Sequence, residues 1–161
     1  MKGVKAMYIR RFENNDAEEL SEVIAKTLRT VNIKDYTAEY IEAEIAGLTA
    51  EKLTEGAVWK HVYVVTDEDS IIGCGAIGPY WGKEDESSLY TVFVLPEYQG
   101  SGIGRKIIET LEKDEFFLRA KRVEIPASVT AADFYIKMGY GYKNGVTEPD
   151  EEGLVRLEKY R

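Results

Sequence analysis

The sequence is poor in the residues that build disulfide frameworks and metal sites. It contains one cysteine, Cys74, and one histidine, His61, among 161 residues. A single cysteine excludes an intramolecular disulfide, and a single histidine excludes a histidine-rich metal site. Proteins of oxidising compartments rely on disulfides more often than proteins of reducing ones. We therefore expect a metal-free protein of the cytoplasm.

Long apolar runs are also missing. Arg10, Arg11 and Glu13 follow the N-terminal residues closely, so the apolar segment of a secretory signal is absent there. No stretch approaches the length that a membrane span needs, and no repeat or Ser/Gly/Pro-rich linker divides the chain. The sequence therefore predicts one domain, residues 1–161, with no membrane partner.

Positive charge is scarce relative to negative charge. Lys and Arg together number 21 and Asp and Glu 29, which gives a net charge of −8. Such a charge repels the phosphates of nucleic acids and of anionic lipid surfaces, and it attracts cations. We expect no nucleic-acid partner and favour a cationic ligand over an anionic one.

Hydrophobic periodicity predicts a mixed α+β fold, in the order β-α-α-β-β-β-α-β-α-β-β. Helices are expected after the cap residues Asn14 to Asp16 and after Thr37, with a short one at 49–55 and others at 102–117 and 130–138. Strands are expected at 7–12, 58–66, from Ile71 onward, 88–95, 122–126, 140–146 and 154–160.

The first of two glycine clusters has the spacing of a dinucleotide-binding loop. Gly73, Gly75 and Gly78 form a G-x-G-x-x-G string. That fingerprint requires a helix to begin at the glycines, so that its amides can hold a pyrophosphate. Pro79 follows instead and no helical period begins. We interpret this cluster as a strand whose glycines admit a bulge or a close neighbour.

The second glycine cluster lies between a predicted strand and a predicted helix, which is the context of an anion site. Glycines allow successive N–H groups to point into one concavity, and a helix N-terminus adds partial positive charge. Arg105 and Lys106 begin the helix, where the macrodipole disfavours cations unless an anion is bound. The alternative is a glycine-rich turn that binds nothing.

Two motifs resemble the GNAT superfamily of N-acetyltransferases. The family pattern [Q/R]-x-x-G-x-[G/A] is matched by the run Gln99, Gly100, Ser101, Gly102, Ile103 and Gly104. A second block, which contains Phe134, Tyr135, Gly139 and Tyr140, resembles the family's A-x-x-F-Y-x-x-x-G-[F/Y] helix. The resemblance implies a mostly antiparallel, twisted sheet of six to seven strands flanked by helices, with a splay between the strands ending near Leu95 and at 122–126.

The resemblance also implies acetyl-CoA as co-substrate, and no metal. The pantetheine arm would bind the backbone of the first strand at the splay, and the pyrophosphate would bind the amides of the glycine cluster. The residues expected to hold acetyl-CoA are Val92, Phe93, Val94, Gln99, Gly100, Ser101, Gly102, Ile103, Gly104, Arg105, Lys106 and Ser128. Ser128 stands where many relatives have Asn, so its hydroxyl can cap a helix but offers no amide.

Acetyl transfer from a thioester to an amine needs an acid for the thiolate, donors for the oxyanion and a route for the amine proton. Tyr135 matches the family's tyrosine acid, since a phenol is protonated at neutral pH; aromatic packing is the alternative. The oxyanion would bind a backbone N–H, with Val94 the best candidate. Glu124, Glu86 or a water chain could take the amine proton, although a solvated surface carboxylate is the alternative for both glutamates.

The remaining candidates carry weaker signals. His61 lies in a strand with no evident partner in sequence, and Cys74 is expected to be a buried structural thiol. The resemblance places four aromatic side chains in segments that line an acceptor cleft, with packing as the equal alternative: Tyr36, Tyr40, Tyr80 and Trp81.

The resemblance therefore implies direct transfer of acetyl from acetyl-CoA to a primary amine. Acidic residues at 84–86 and 148–152 favour a small cationic amine or a peptide amine as acceptor. The alternative is a non-catalytic CoA-binding regulatory or interaction module. The architecture is also compatible with a homodimer.

Overall fold

A seven-stranded sheet, in the order β1-β2-β3-β4-β5-β7-β6, forms the centre of the protein. The computed structural model describes residues 3–161. All neighbouring strands are antiparallel except β4 and β5. The strands are β1 (Met7–Arg11), β2 (His61–Asp67), β3 (Ser70–Pro79), β4 (Glu86–Val94), β5 (Arg122–Ser128), β6 (Gly141–Tyr142) and β7 (Leu154–Tyr160). The expected mixed α+β sheet of six to seven strands is confirmed.

Six α-helices within residues 3–161 cover the two faces of this sheet. They are α1 (Ala17–Thr30), α2 (Ala38–Ala46), α3 (Ala50–Gly56), α4 (Ile103–Leu111), α5 (Glu115–Leu118) and α6 (Ala132–Lys137). Leu20, Ile24 and Leu28 recur at helical spacing on α1 and join the core of one face. Ile107 and Leu111 of α4 join the core of the other face. None of the helices in residues 3–161 is long and apolar enough to cross a membrane.

The structure shortens three of the expected elements. The helix expected at 102–117 ends at Leu111, and α5 begins after Asp114, whose carboxylate accepts the Phe116 N–H at 2.8 Å. The strand expected at 140–146 is reduced to two residues, because a helical turn with a left-handed Asn144 (φ 54°) follows. The strand expected from residue 58 begins at His61, since the N–H of Lys60 still bonds the Gly56 carbonyl at the end of α3.

The G-x-G-x-x-G string lies within β3, so the strand interpretation is confirmed. A Cβ on Gly75 would lie 2.5 Å from Ile107 Cγ2, and one on Gly73 would lie 2.8 Å from the Phe93 carbonyl oxygen. These glycines therefore allow α4 and β4 to approach β3 closely.

The expected splay is present between β4 and β5. The two strands pair in parallel only where Glu86 to Ser88 face Arg122 to Glu124, and both strands continue beyond that point without pairing to each other. On its other edge β4 bulges, since Cys74 pairs with Phe93 while Ala76 pairs with Tyr90. Thr91 at the bulge has a left-handed backbone (φ 45°). The splay and the bulge together open one edge of β4 for other partners.

Candidate functional site

The splay opens into a cleft of about 440 Å³. Its walls come mainly from the unpaired parts of β4 and β5, from α6, and from α1, α2 and the segment that joins them. The lining residues on the two strands are Leu89, Tyr90, Thr91, Val92, Phe93, Val94, Ile125, Pro126, Ala127 and Ser128. The backbone that the sequence assigned to pantetheine binding therefore lines a real cavity.

Tyr135 lines the same cleft from α6. Its side chain is buried, and its hydroxyl has no hydrogen-bond partner among residues 3–161. In these residues, every side-chain oxygen that is shielded from solvent has a hydrogen-bond partner. Since the Tyr135 hydroxyl has none, it is accessible from the cleft that the residue lines. Burial raises the pKa of this phenol well above its usual range, with a smaller contribution from the nearby Cys74. The hydroxyl is thus a protonated donor facing the cavity.

The backbone of β4 presents alternate groups to the cleft. The N–H of Leu95 bonds the Ile72 carbonyl at 2.9 Å, so Leu95 faces β3. Because backbone groups alternate along a strand, those of Val94 point to the splayed edge. The Val94 carbonyl there accepts from Gln99 Nε2 at 3.1 Å. Two expected cofactor contacts, Val94 and Gln99, are therefore adjacent and bonded to each other.

The glycine cluster leaves a run of backbone donors without acceptors. The N–H of Lys106 bonds the Gly102 carbonyl at 3.2 Å and is the first of the helix to find a partner. No group of residues 3–161 accepts a hydrogen bond from the six N–H groups of 100–105. Consecutive free donors at a helix N-terminus are suited to an anion with several oxygens.

Local packing explains the glycines of this cluster. Gly100 and Gly102 have left-handed backbones, with φ of 81° and 84°. A Cβ on Gly104 would lie 3.1 Å from Phe134 Cζ, so the α6 ring rests against the start of α4. The Ser101 hydroxyl donates to the Tyr98 carbonyl. The loop is thus fixed by the hydrogen bond of Ser101 and by the packing of Phe134 from α6.

Arg105 and Lys106 are exposed at the first turn of α4. Neither forms an ion pair with an acidic group of residues 3–161. Two unpaired cations at this end of a helix oppose the macrodipole. They therefore add positive charge beside the six free amides.

The two glutamates named as bases belong to an ion cluster at the closed end of the splay. Arg122 donates to Glu86, Glu124 and Glu158 at 2.9 Å each, and Lys143 donates to Glu124 at 2.8 Å. Glu124 is 1% exposed, so the expectation of a solvated carboxylate is wrong for it. Burial alone would raise its pKa, but the hydrogen bonds from Lys143 and Arg122 outweigh that effect and lower it. Neither glutamate lines the cleft.

Ser128 and two of the aromatic candidates join the cleft wall to the loops around it. The Ser128 hydroxyl accepts from the Ala131 N–H at 3.2 Å, so it caps the turn before α6. Tyr36 accepts from the Val129 N–H at 2.9 Å and donates to the Gly153 carbonyl at 2.7 Å. Tyr40 stacks on Tyr36 and also lines the cleft.

The other two aromatic candidates lie outside the cleft. The Tyr80 ring packs against the Arg122 guanidinium, 4.9 Å from the ring centroid, and Trp81 is 84% exposed. Neither Tyr80 nor Trp81 is among the residues that line the cleft, so the expectation that both lie on its wall is not met.

His61 and Cys74 have structural contacts that the sequence did not show. His61 Nδ1 lies 2.8 Å from Asp114 Oδ2, which also accepts from the Tyr63 hydroxyl at 2.6 Å. The expectation that His61 has no partner is wrong. Cys74 is buried as expected, and its thiol donates to the Thr91 carbonyl at 3.1 Å. Burial raises the pKa of this thiol to about 12.

Sequence reasoning missed Lys60 as a cleft residue. Its ammonium lies 4.9 Å from the ring centroids of both Trp59 and Tyr90. The lysine precedes β2, where periodicity assigns no face to it. The only available signal was its position beside an aromatic residue at the start of a strand.

Comparison with known proteins identifies the fold and the family to which these features belong. The family model described as "Acetyltransferase (GNAT) domain" matches residues 58–141, just over half of the chain. The PaiA N-acetyltransferase of Thermoplasma acidophilum, solved with coenzyme A, is similar over 98% of this chain and 100% of its own, with 20% identity and a TM-score of 0.82.

Two further solved structures have the same fold. A GCN5-related N-acetyltransferase of Rhodopseudomonas palustris is similar over 100% of this chain and 99% of its own, with 21% identity and a TM-score of 0.78. A GNAT family acetyltransferase of Brucella melitensis, solved with acetyl-CoA, is similar over 96% and 87%, with 19% identity and a TM-score of 0.66.

Proposed function

Since the chain belongs to the GNAT acetyltransferase family, we propose that it transfers the acetyl group of acetyl-CoA directly to a primary amine, within a ternary complex and without an acyl-enzyme. The observation that carries this proposal is the run of six unpartnered N–H groups at 100–105, which continues from the open edge of β4. The PaiA relative with coenzyme A and the Brucella melitensis protein with acetyl-CoA support the choice of co-substrate.

Acetyl-CoA would bind along β4 and the glycine cluster. The backbone of Val92, Phe93 and Val94 would hold the pantetheine arm as an additional strand would, because β5 diverges here. To do so, the arm must compete with Gln99 for the Val94 carbonyl. The pyrophosphate would accept from the amides of the cluster, with Arg105 and Lys106 beside it.

The reaction would proceed by attack of the neutral amine nitrogen on the thioester carbonyl carbon. The N–C bond forms, and the oxyanion accepts from a backbone N–H of β4, for which Val94 is the best candidate. When the C–S bond breaks, the Tyr135 hydroxyl gives its proton to the sulfur. The amine loses one proton, and a proton from water restores the phenol.

The contacts of Glu124 and Glu86 favour a positioning role over proton abstraction. Both carboxylates are bonded to Arg122, and, despite burial, the hydrogen bonds from Lys143 and Arg122 lower the pKa of Glu124, which makes it a weaker base. Their position at the closed end of the splay supports a role in holding β4 and β5 in register. A water chain through the cleft is then the remaining route for the amine proton.

We extend the proposal to domain and partners. One domain over residues 1–161 is supported by a sheet whose outer strand β1 and inner strand β7 come from opposite ends of the chain. The amine acceptor is the one partner that the proposed reaction requires.

The test is an acetylation assay with a panel of primary amines, read as release of free CoA thiol. We expect acetyl-CoA to raise the melting temperature by mass action and at least one amine to release thiol. Absence of any thermal shift at millimolar acetyl-CoA would contradict the binding site. Binding without thiol release from any amine would favour the non-catalytic CoA-binding module.

A further inference from the structure

Among residues 3–161, Lys60 is the one lysine or arginine that lines the cleft, and its side chain is half-buried. No carboxylate oxygen of residues 3–161 lies within 4.0 Å of Lys60 Nζ, and Nζ donates no hydrogen bond to these residues. In residues 3–161, every side-chain nitrogen that is shielded from solvent has a hydrogen-bond partner. Lys60 Nζ has none, so it is not shielded and is accessible from the cleft.

The protein leaves room for this side chain at two glycines. A Cβ on Gly78 would lie 2.9 Å from Lys60 Cγ, and a Cβ on Gly56 would lie 3.1 Å from Lys60 Nζ. The stem therefore runs across β3 and the end of α3 in space that only glycine leaves free. Trp59 and Tyr90 hold the ammonium between their rings, each with its centroid 4.9 Å away. Lys60 is thus directed to one place rather than free to reach into solvent.

Burying an ammonium without an anion is unfavourable, and burial lowers the pKa of Lys60 accordingly. The two rings offset part of this cost, but they offer no hydrogen-bond acceptor. A ligand carboxylate would supply both the missing charge and the acceptor.

The position of Lys60 along β4 separates it from the region proposed for acetyl-CoA. Its partner Tyr90 precedes the Thr91 bulge, whereas Val92 to Val94 and the glycine cluster follow it. An anion at Lys60 would therefore belong to the acceptor. Glu44 also lines the cleft but is exposed at its rim. The acidic residues that favoured a cationic acceptor are partly neutralised, because Arg156 pairs with both Asp150 and Glu152.

We propose that Lys60 binds a carboxylate of the acceptor, so that the preferred substrate is an amino acid or another amine that carries a carboxylate. The inference rests on the proposed function, since it names the substrate class of that same site. The carboxylate anchors at Lys60, and the amine then reaches toward the open edge of β4 and Tyr135.

The test compares matched acceptors that differ only in charge. Linear ω-amino acids of four to six carbons are assayed beside their carboxamides, because in these chains the amine pKa hardly changes when the carboxylate is replaced. A set of α-amino acids and their amides extends the panel. Loss of a charged hydrogen bond predicts a preference of about tenfold to a hundredfold in kcat/KM for the carboxylate member of the best pair.

Three variants assign that preference to Lys60. Lys60→Met keeps the aliphatic stem and removes the charge, so we expect the ratio of kcat/KM for the carboxylate to kcat/KM for its amide to fall to about one. Lys60→Arg keeps the charge and should retain most of the preference. Lys113→Met removes a charge from the exposed turn between α4 and α5 and should behave as wild type. Melting temperatures of all variants verify that they are folded.

The outcomes separate this inference from the proposed function. Turnover of both members of every pair at equal rates, or a full preference in Lys60→Met, overturns the role of Lys60 and leaves the acetyltransferase intact. If acetyl-CoA binds but the wild-type protein acetylates nothing in the amine panels, the proposed function fails, and the inference fails with it.

Discussion

Gly75 and Ile107 approach so closely that a Cβ on residue 75 would lie 2.5 Å from Ile107 Cγ2. The contact joins the middle of β3 to the buried face of α4. It therefore controls how closely the helix that carries the free amides can lie against the sheet. The glycine string that imitates a nucleotide-binding loop supports the candidate site indirectly, by providing this space.

Gly75→Ala is expected to destabilise the protein by about 1–3 kcal/mol, because overpacking forces α4 away from β3. Urea denaturation measures the free energy of unfolding. Gly141→Ala is the matched control, since nothing lies within 4 Å of a Cβ at that position. Equal stability of the two variants would show that α4 adjusts without cost.

Tyr135→Phe is expected to lower kcat by about a hundredfold or more, which is the usual contribution of a positioned acid. Acetyl-CoA affinity and melting temperature should hardly change, because the hydroxyl has no partner among residues 3–161. Its raised pKa means that the phenol stays protonated, so kcat should not fall through its titration between pH 7 and 9. Stopped-flow thiol release across this pH range measures both effects.

The control for this variant is Tyr140→Phe, which removes a hydroxyl that donates to Glu112 at 3.0 Å outside the cleft. It should lower the melting temperature and leave kcat unchanged. An unchanged kcat in Tyr135→Phe would remove the acid role from Tyr135.

Neutralising Arg105 and Lys106 together, as Arg105→Gln with Lys106→Gln, is expected to weaken acetyl-CoA binding by about fivefold to tenfold. Each exposed charge contributes modestly to phosphate binding, and salt screens the contribution. Titration calorimetry at low and high ionic strength measures the difference. Unfolding should require no less urea than in the wild type, because both cations oppose the helix dipole. If the double variant binds acetyl-CoA as tightly as the wild type does, the pyrophosphate binds elsewhere.

Glu124→Gln is expected to destabilise the protein by about 1–3 kcal/mol, because Arg122 and Lys143 lose the buried carboxylate that they share, although Arg122 keeps Glu86 and Glu158. Since the folded-state pKa of Glu124 is lowered, its stabilising effect is present above its unfolded pKa, at about 4.3, and is lost as the pH falls through the folded value. The difference between wild type and variant should therefore narrow below about pH 4. Urea denaturation from pH 3 to 7 measures this convergence.

The same variant decides between the two roles of Glu124. Below its melting temperature, Glu124→Gln should retain kcat within about threefold if the carboxylate only positions β4 and β5, because no proton transfer is lost. A loss of a hundredfold or more with unchanged acetyl-CoA affinity would assign proton abstraction to Glu124.

The sequence predicted best where function depends on the backbone of a few consecutive residues. The cluster at 99–104 lies between β4 and α4, as its position between a predicted strand and a predicted helix indicated, so its amides could be anticipated. Contacts between distant residues could not. Asp114 ends the long helix early because it caps α5 and also bonds His61 and Tyr63, which lie more than fifty positions away in the sequence.

Lys60 and Glu124 show the same limit. Lys60 lies between Trp59 and Tyr90 because β4 pairs with β3, and no periodicity in the sequence indicates this contact. Glu124 looked like a surface carboxylate because its three cations, Arg122, Lys143 and Arg156, come from three different elements. Charge patterning along the chain cannot show that they converge.

The short parallel pairing of β4 with β5 divides the molecule into two half-sheets. The first, β1 to β4, carries α4 and its free amides, and the second, β5 to β7, carries α6 and the Tyr135 hydroxyl. Three paired residues on each strand and the contacts of Arg122 form the junction between them. The free amides and the Tyr135 hydroxyl therefore lie on different half-sheets, and Arg122 bonds carboxylates on the two strands, β4 and β5, at which these half-sheets meet. The ion cluster at the closed end of the splay thus holds together the two strands whose separation forms the cleft.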